Sequence, residues 1–143
     1  MYKDDLLRIP LFGRVLHGLE MISLDGRSLR QAHDALTVVS AKKLAEGRVV
    51  VIFPEGTRVN HGVPVRVSSG GSRLVCATGT DVVPIVHDAG RVWPAKGWRS
   101  GPGSIRVIIG APISPVGCSQ QEVTRTVNEW MQVTYLELTG RSQ

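Results

Sequence analysis

Aromatic residues make up only 5% of this chain, cysteines number two, and the longest apolar run, residues 49–53, stops at five residues, with 82–86 apolar but for Pro84. Each scarcity excludes something. Runs so short exclude a membrane-spanning helix, which needs about 20 apolar residues in succession. The start, Met1-Tyr2-Lys3-Asp4-Asp5, is followed by no apolar segment of the kind that marks a secretory leader. Cys76 and Cys118 fit no metal-ligand spacing and make no disulfide framework, so they read as reduced thiols. Few aromatics, and no nucleic-acid motif, set nucleic acid aside as a partner.

Also missing is any acidic residue between Ala89 and Gln121, a stretch in which Arg91, Lys96, Arg99 and Arg106 are all basic. The whole chain carries 17 basic and 12 acidic side chains, a formal charge of +5. A basic patch of this kind suits an anionic lipid surface or a phosphorylated substrate; it is equally the composition of a plain solvated face. Trp93 and Trp98 lie in the same stretch, placed either to anchor at a membrane interface or to cover a sheet.

With 143 residues, 42% apolar and 20% charged, the chain has the make-up of one globular domain with a modest core. Residues 10–20 carry Leu11, Val15, Leu16 and Leu19 at helical spacing, with Pro10 suited to the first turn. A short strand over 21–24 ends at the turn dipeptide Asp25-Gly26, with Arg27 directly after it. Residues 28–46 show a helical stripe through Ala32, Leu36 and Val39, closed by Gly47. The β-branched run at 48–53 predicts a buried strand. A helix is expected from Gly70-Gly71 to Gly79, and strands at 81–86 and 104–109, with Pro84 demanding an edge, end or bulge. Ser119 and Glu122 form a capping box that opens a last helix, whose buried face reads as Val123, Val127, Trp130 or Met131, Thr134 and Leu138. Strands interleaved with helices predict an α/β architecture, a mixed sheet flanked by helices.

The chemistry concentrates in Phe53-Pro54-Glu55-Gly56-Thr57-Arg58. Pro54 ends the strand and Gly56 relaxes the backbone, so a carboxylate, a hydroxyl and a guanidinium emerge at a strand's carboxyl end, where α/β sheets bind ligands. Arg58 can grip a phosphate through a bidentate fork, while Glu55 either orients it or accepts bonds from a hydroxylated substrate. The bland alternative is a polar surface turn.

This hexamer, with Val82-Val83-Pro84-Ile85, resembles the glycerophospholipid acyltransferase family, in its 1-acylglycerol-3-phosphate branch. The likeness extends from Tyr2 to about Trp130 and includes Leu6-Leu7-Arg8-Ile9-Pro10-Leu11-Phe12-Gly13, Gly70-Gly71, His87-Asp88-Ala89-Gly90-Arg91-Val92-Trp93-Pro94 and Ile109-Gly110-Ala111-Pro112-Ile113. It implies acyl transfer from acyl-CoA or acyl carrier protein, as co-substrate and with no bound cofactor, to the hydroxyl of lysophosphatidate. Glu55, Gly56, Thr57 and Arg58 would be substrate-binding, Arg27 would hold the phosphate, and Val83 and Pro84 would shape the acceptor pocket. Two departures weaken the phosphate contacts: Gly26 intervenes between Asp25 and Arg27, and Ser68 stands where a lysine is usual.

The resemblance also implies a histidine base, with an aspartate five positions later. The four histidines, His17, His33, His61 and His87, are followed at that distance by Ile22, Val38, Arg66 and Val92. The likeness begins at once, so residues 1–143 read as the C-terminal portion of a single acyltransferase domain, incomplete at its N-terminus and expected to be inactive alone. The expected location is peripheral, on the cytoplasmic face of the inner membrane, or cytoplasmic for an isolated fragment. The alternative is a non-catalytic module that binds lipid phosphate or an anionic membrane surface.

Overall fold

The computed structural model describes residues 2–3, 23–24, 29–56, 61–63, 66–94 and 102–140. The chain divides into two compact units, Met1–Ile52 and Phe53–Gln143. In the first unit, β1 (Tyr2–Lys3) pairs in parallel with β2 (Ser23–Leu24), and helix α1 covers Leu29–Ala45. The helix expected over 10–20 lies outside the described residues.

Local chemistry ends α1 where the sequence predicts. Gly47 takes φ +74°, a conformation that side chains disfavour. Its N–H donates to the Leu44 carbonyl at 3.0 Å, and the next N–H, of Arg48, reaches back to the Lys43 carbonyl at 3.0 Å. These two bonds make a Schellman cap, which satisfies carbonyls that the helix leaves unpaired. Lys42 and Lys43 occupy the last turn, where cations complement the helix dipole.

The second unit contains α2 (Gly70–Thr78), β3 (Ile85–His87), β4 (Val107–Ile109) and α3 (Gln120–Gly140). β3 and β4 run antiparallel, with Ile85 opposite Ile109, Val86 opposite Ile108 and His87 opposite Val107. An isolated bridge joins Val82 to Ile113. Between that bridge and the first ladder pair, Val83 and Pro84 face Gly110, Ala111 and Pro112, so one extra residue bulges from the second strand. Pro84 has no N–H for a ladder, and here it contributes only its carbonyl, which accepts from Gly110 N–H at 2.9 Å.

The core lies between α2 and α3. Val75, Val123 and Val127 are its buried centre, with Val67, Val82, Ile113 and Met131 packed against it. On α3 the buried residues are Val123, Val127, Thr134 and Leu138, the face expected from helical spacing. The capping box forms as well: Ser119 N–H and Oγ–H both donate to Glu122 Oε2 at 2.7 Å, and Glu122 N–H donates back to Ser119 Oγ at 3.3 Å. These two local bonds to the carboxylate hold the Glu122 acid below its ordinary pKa.

The strand expected at 48–53 does not form. Val49, Val51 and Phe53 are exposed, at 87%, 65% and 66%. A strand exists only where a neighbour accepts and donates along its ladder, and none of the described strand ladders includes residues 48–53. β-branched composition expresses a fitness for a pleated surface and cannot by itself create one. Among the described residues one strand pair is parallel, in the first unit, and one is antiparallel, in the second; with the helices of each unit they give an α/β composition of mixed strand directions.

Candidate functional site

Gly56 N–H donates to the Phe53 carbonyl at 3.2 Å, closing a four-residue turn with Pro54 at its second position and Gly56 at its fourth. Proline presets φ for the second place, and glycine is favoured in the fourth, so this order of residues encodes the turn. Gly56 adopts φ +66°, and a Cβ built there meets no atom within 4 Å. Its requirement for glycine is therefore conformational and owes nothing to crowding. Glu55 is half-buried at the third position of the turn. Thr57, Arg58 and Arg27 lie outside the described residues.

One further bond decides where the turn goes. The Pro54 carbonyl accepts from Ser68 N–H at 3.0 Å, so the Glu55-Gly56 turn is held beside the residues that lead into α2. Ser69 stands at the N-cap without using its side chain, and its carbonyl accepts from Arg73 N–H at 3.0 Å. The first amides of α2 thus point out of the helix with no side-chain cap from Ser69, which is the electrostatic setting that favours an anion. No acidic residue occupies that first turn.

Helix α3 fixes this neighbourhood from behind. Asn128 Oδ1 accepts from Val67 N–H at 3.1 Å, the Tyr135 hydroxyl accepts from Gly62 N–H at 2.8 Å, and Gln120 Nε2 donates to the Ser69 carbonyl at 3.3 Å. Three polar side chains on one helix therefore bond to backbone groups of Gly62, Val67 and Ser69, between the turn and the helix. They supply order that a loop of this composition lacks alone.

Of the remaining expected site residues, Pro84 is buried against Gly110 and Trp130, where a Cβ on Gly110 would come within 2.9 Å of Pro84 Cγ and 2.6 Å of Trp130 Cζ2. Val83 beside it is exposed. His61 packs its Cβ against Gly90, and its Nδ1 is buried with no hydrogen-bond partner among the described residues. His87 is exposed, and its Nδ1 accepts from Ala89 N–H at 3.3 Å. Neither imidazole has a carboxylate bonded to it among the described residues. No group of three or more metal-ligating side chains occurs among them either.

One pair escapes a sequence reading altogether. Asp88, only 1% exposed, accepts from Arg106 N–H at 2.7 Å through Oδ1 and from Arg106 Nε at 2.9 Å through Oδ2. Arg106 also donates to the Leu138 carbonyl near the end of α3. Burial pushes the Asp88 acid up, but the backbone and guanidinium bonds from Arg106, with the charges of Arg106 and Arg91, outweigh it and leave it below its ordinary value of 3.8. Sequence alone places Arg106 among solvent-facing cations. Its real partner is 18 residues away and follows from the β3–β4 register.

The fold and the turn define an α/β protein that sets a carboxylate-bearing turn against a helix start. The chain belongs to the Acyltransferase family, whose model matches residues 1–88. It is 35% identical over 144 residues to the 1-acyl-sn-glycerol-3-phosphate acyltransferase of Pseudomonas aeruginosa, covering 99% of this chain and 56% of the relative. The enzyme of the same name from Borreliella burgdorferi is 43% identical over 84 residues, 58% of this chain and 33% of that one. The crystal structure of the 1-acyl-sn-glycerophosphate acyltransferase from Thermotoga maritima superposes with a TM-score of 0.79 at 25% identity, over 95% of this chain and 54% of the other. The fold is accordingly that of a glycerolipid acyltransferase, and the chain spans about half the length of the Pseudomonas aeruginosa relative and of the Thermotoga maritima structure.

Proposed function

We propose that this chain supplies the acceptor-gripping part of a 1-acyl-sn-glycerol-3-phosphate acyltransferase and turns over little or not at all when isolated. The observation that carries the binding half is the Ser68 N–H to Pro54 carbonyl bond, which sets the Glu55-Gly56 turn beside the first amides of α2. A phosphate monoester there would meet helix amides, and Arg58, two residues beyond Gly56, is the cation assigned to it. Arg27 is assigned the same phosphate, and Glu55 and Thr57 the glycerol part. Kinship to enzymes named for 1-acyl-sn-glycerol-3-phosphate supports lysophosphatidate as acceptor. The donor is a thioester, of coenzyme A or of acyl carrier protein.

In this reaction the acceptor hydroxyl oxygen attacks the thioester carbonyl carbon. A C–O bond forms, the C–S bond breaks, and the hydroxyl proton ends on the departing thiol. A positioned base typically contributes about 10²–10⁴-fold to such a step. No histidine of this chain has an aspartate five residues later, and His61 and His87 have no carboxylate bonded to them among the described residues. On this reading the chain binds and orients the acceptor, and the base that removes the proton is not found among its described residues.

The test follows thiol release and phosphatidate formation, with the Pseudomonas aeruginosa relative as positive control. Calorimetry with sn-glycerol 3-phosphate is run in parallel on the chain and on R58A. We expect no turnover, and binding weakened roughly ten- to a hundredfold in R58A, the range for one charge-assisted hydrogen bond. Unchanged affinity in folded R58A removes the phosphate role. Turnover abolished by substituting His61 or His87 overturns the missing base.

A further inference from the structure

Trp93 is 73% exposed, the largest described side chain of the second unit left so open to water. This is not for want of a place to bury an indole. Trp130 lies against Gly110 and Pro84, so close that a Cβ on Gly110 would collide with its ring. Trp93 is instead presented outward, and on a stiff support. A single 3₁₀ turn, Ala89–Arg91, precedes it. Arg91 N–H donates to the Asp88 carbonyl at 2.9 Å, and the N–H groups of Val92 and Trp93 both donate to the Ala89 carbonyl, at 3.1 and 2.8 Å. Arg91 Nη2 donates to the Ser104 carbonyl at 3.2 Å. Below the turn, Asp88 is buried and bonded to Arg106. A partner that meets Trp93 thus has little ordering of the backbone left to oppose it.

Along the sequence, the charge from the turn onward has one sign. From Ala89 to Gln121 the sequence contains no acid, and its two boundaries do not offset the cations. Asp88 is sealed from solvent and bonded to Arg106, with Arg91 contributing a weaker charge interaction. Glu122 is committed to the start of α3. Arg91 is exposed in the turn itself, two residues from Trp93. The residues beside it in the turn, Ala89, Gly90, Val92 and Pro94, are small or apolar. An amphipathic indole beside a cation matches the polar–apolar boundary of a charged bilayer, where the ring sits at headgroup depth and the cation meets phosphate.

We propose that the 89–93 turn docks the protein on an anionic lipid surface, with Trp93 as the anchor and Arg91 facing the headgroups. No described helix is long and apolar enough to cross a membrane, and this contact needs none. It is independent of the acyl-transfer reading, because it requires neither lysophosphatidate nor turnover.

The experiment sediments the full chain with vesicles of phosphatidylcholine alone and of phosphatidylcholine mixed with phosphatidylglycerol, both free of lysolipid. Binding is expected to the mixed vesicles, to fall as salt is raised, and to be weak on the neutral ones. Arg91→Gln should weaken it about fivefold, the share of one basic residue at a charged membrane surface, and Trp93→Ala by a larger factor. Trp93→Phe, which keeps an apolar ring, should fall between. Circular dichroism checks that the variants fold, and the salt titration of the unaltered chain tests the charge term whether or not they do. Equal binding to both vesicle types, or binding untouched by all three substitutions, overturns the proposal. So does Trp93-dependent capture of purified acyl carrier protein by a chain that ignores vesicles.

Discussion

Removing the carboxylate of Asp88 is the most informative single perturbation of this fold. In Asp88→Ala, Arg106 loses the acceptor of its backbone N–H and of its Nε–H, bonds of 2.7 and 2.9 Å. An amide left unpaired in a partly buried site costs about 1–3 kcal/mol. The guanidinium is 40% exposed and can turn to water, so its share is discounted to the roughly 0–1 kcal/mol of a surface pair. Together these give a loss of about 1–4 kcal/mol, which at its upper end is a large part of the 5–15 kcal/mol that holds a typical domain together. Asp88→Asn keeps one carbonyl acceptor for the backbone N–H and should cost less. The pH dependence has a defined sign. Because the folded acid titrates below its ordinary 3.8, its contribution is fully present above that value and is lost as pH falls below it through the folded pKa. Urea denaturation from pH 7 down to pH 3 measures this, and hydrogen exchange at the Arg106 amide reports it locally. Unchanged exchange at that amide in Asp88→Ala, or a carboxylate contribution that disappears between pH 7 and pH 5, refutes the reasoning.

Gly110→Ala places a methyl 2.6 Å from Trp130 Cζ2 and 2.9 Å from Pro84 Cγ, and this overpacking should cost about 1–3 kcal/mol. The cost should shrink in a Trp130→Leu background, and equal melting of Gly110→Ala and the parent would deny the contact. Gly56→Ala meets no neighbour, so any loss comes from the left-handed backbone alone, about 1–2 kcal/mol, and should appear as faster exchange at the Gly56 and Ser68 amides. Ser119→Ala removes one half of the capping box and should lower helix stability by about 1 kcal/mol, read from the melting temperature; no change would mean that Glu122 caps α3 unaided.

Short-range bonds account for the features that are legible in the amino-acid order. The Gly47 and Gly79 terminations of α1 and α2, the Ser119–Glu122 box and the buried stripe of α3 all depend on residues within one or two helical turns of each other. The 53–56 turn is of the same kind, since Pro54 and Gly56 carry its dihedral preferences themselves. The sequence therefore determined helix ends, the site-bearing turn and, through the hexamer that contains it, the family. Tertiary structure alone decided what lies opposite what. The β3–β4 register brought Arg106 to Asp88, Ser68 rather than a closer neighbour met the Pro54 carbonyl, and three side chains of α3 reached across 51 to 73 residues to fix the loop behind the turn. The apolar run at 48–53 shows the same division from the other side. Its composition is that of a strand, yet Val49, Val51 and Phe53 remain in water, because a ladder belongs to a pair of segments and no residue can specify its partner by its own preference.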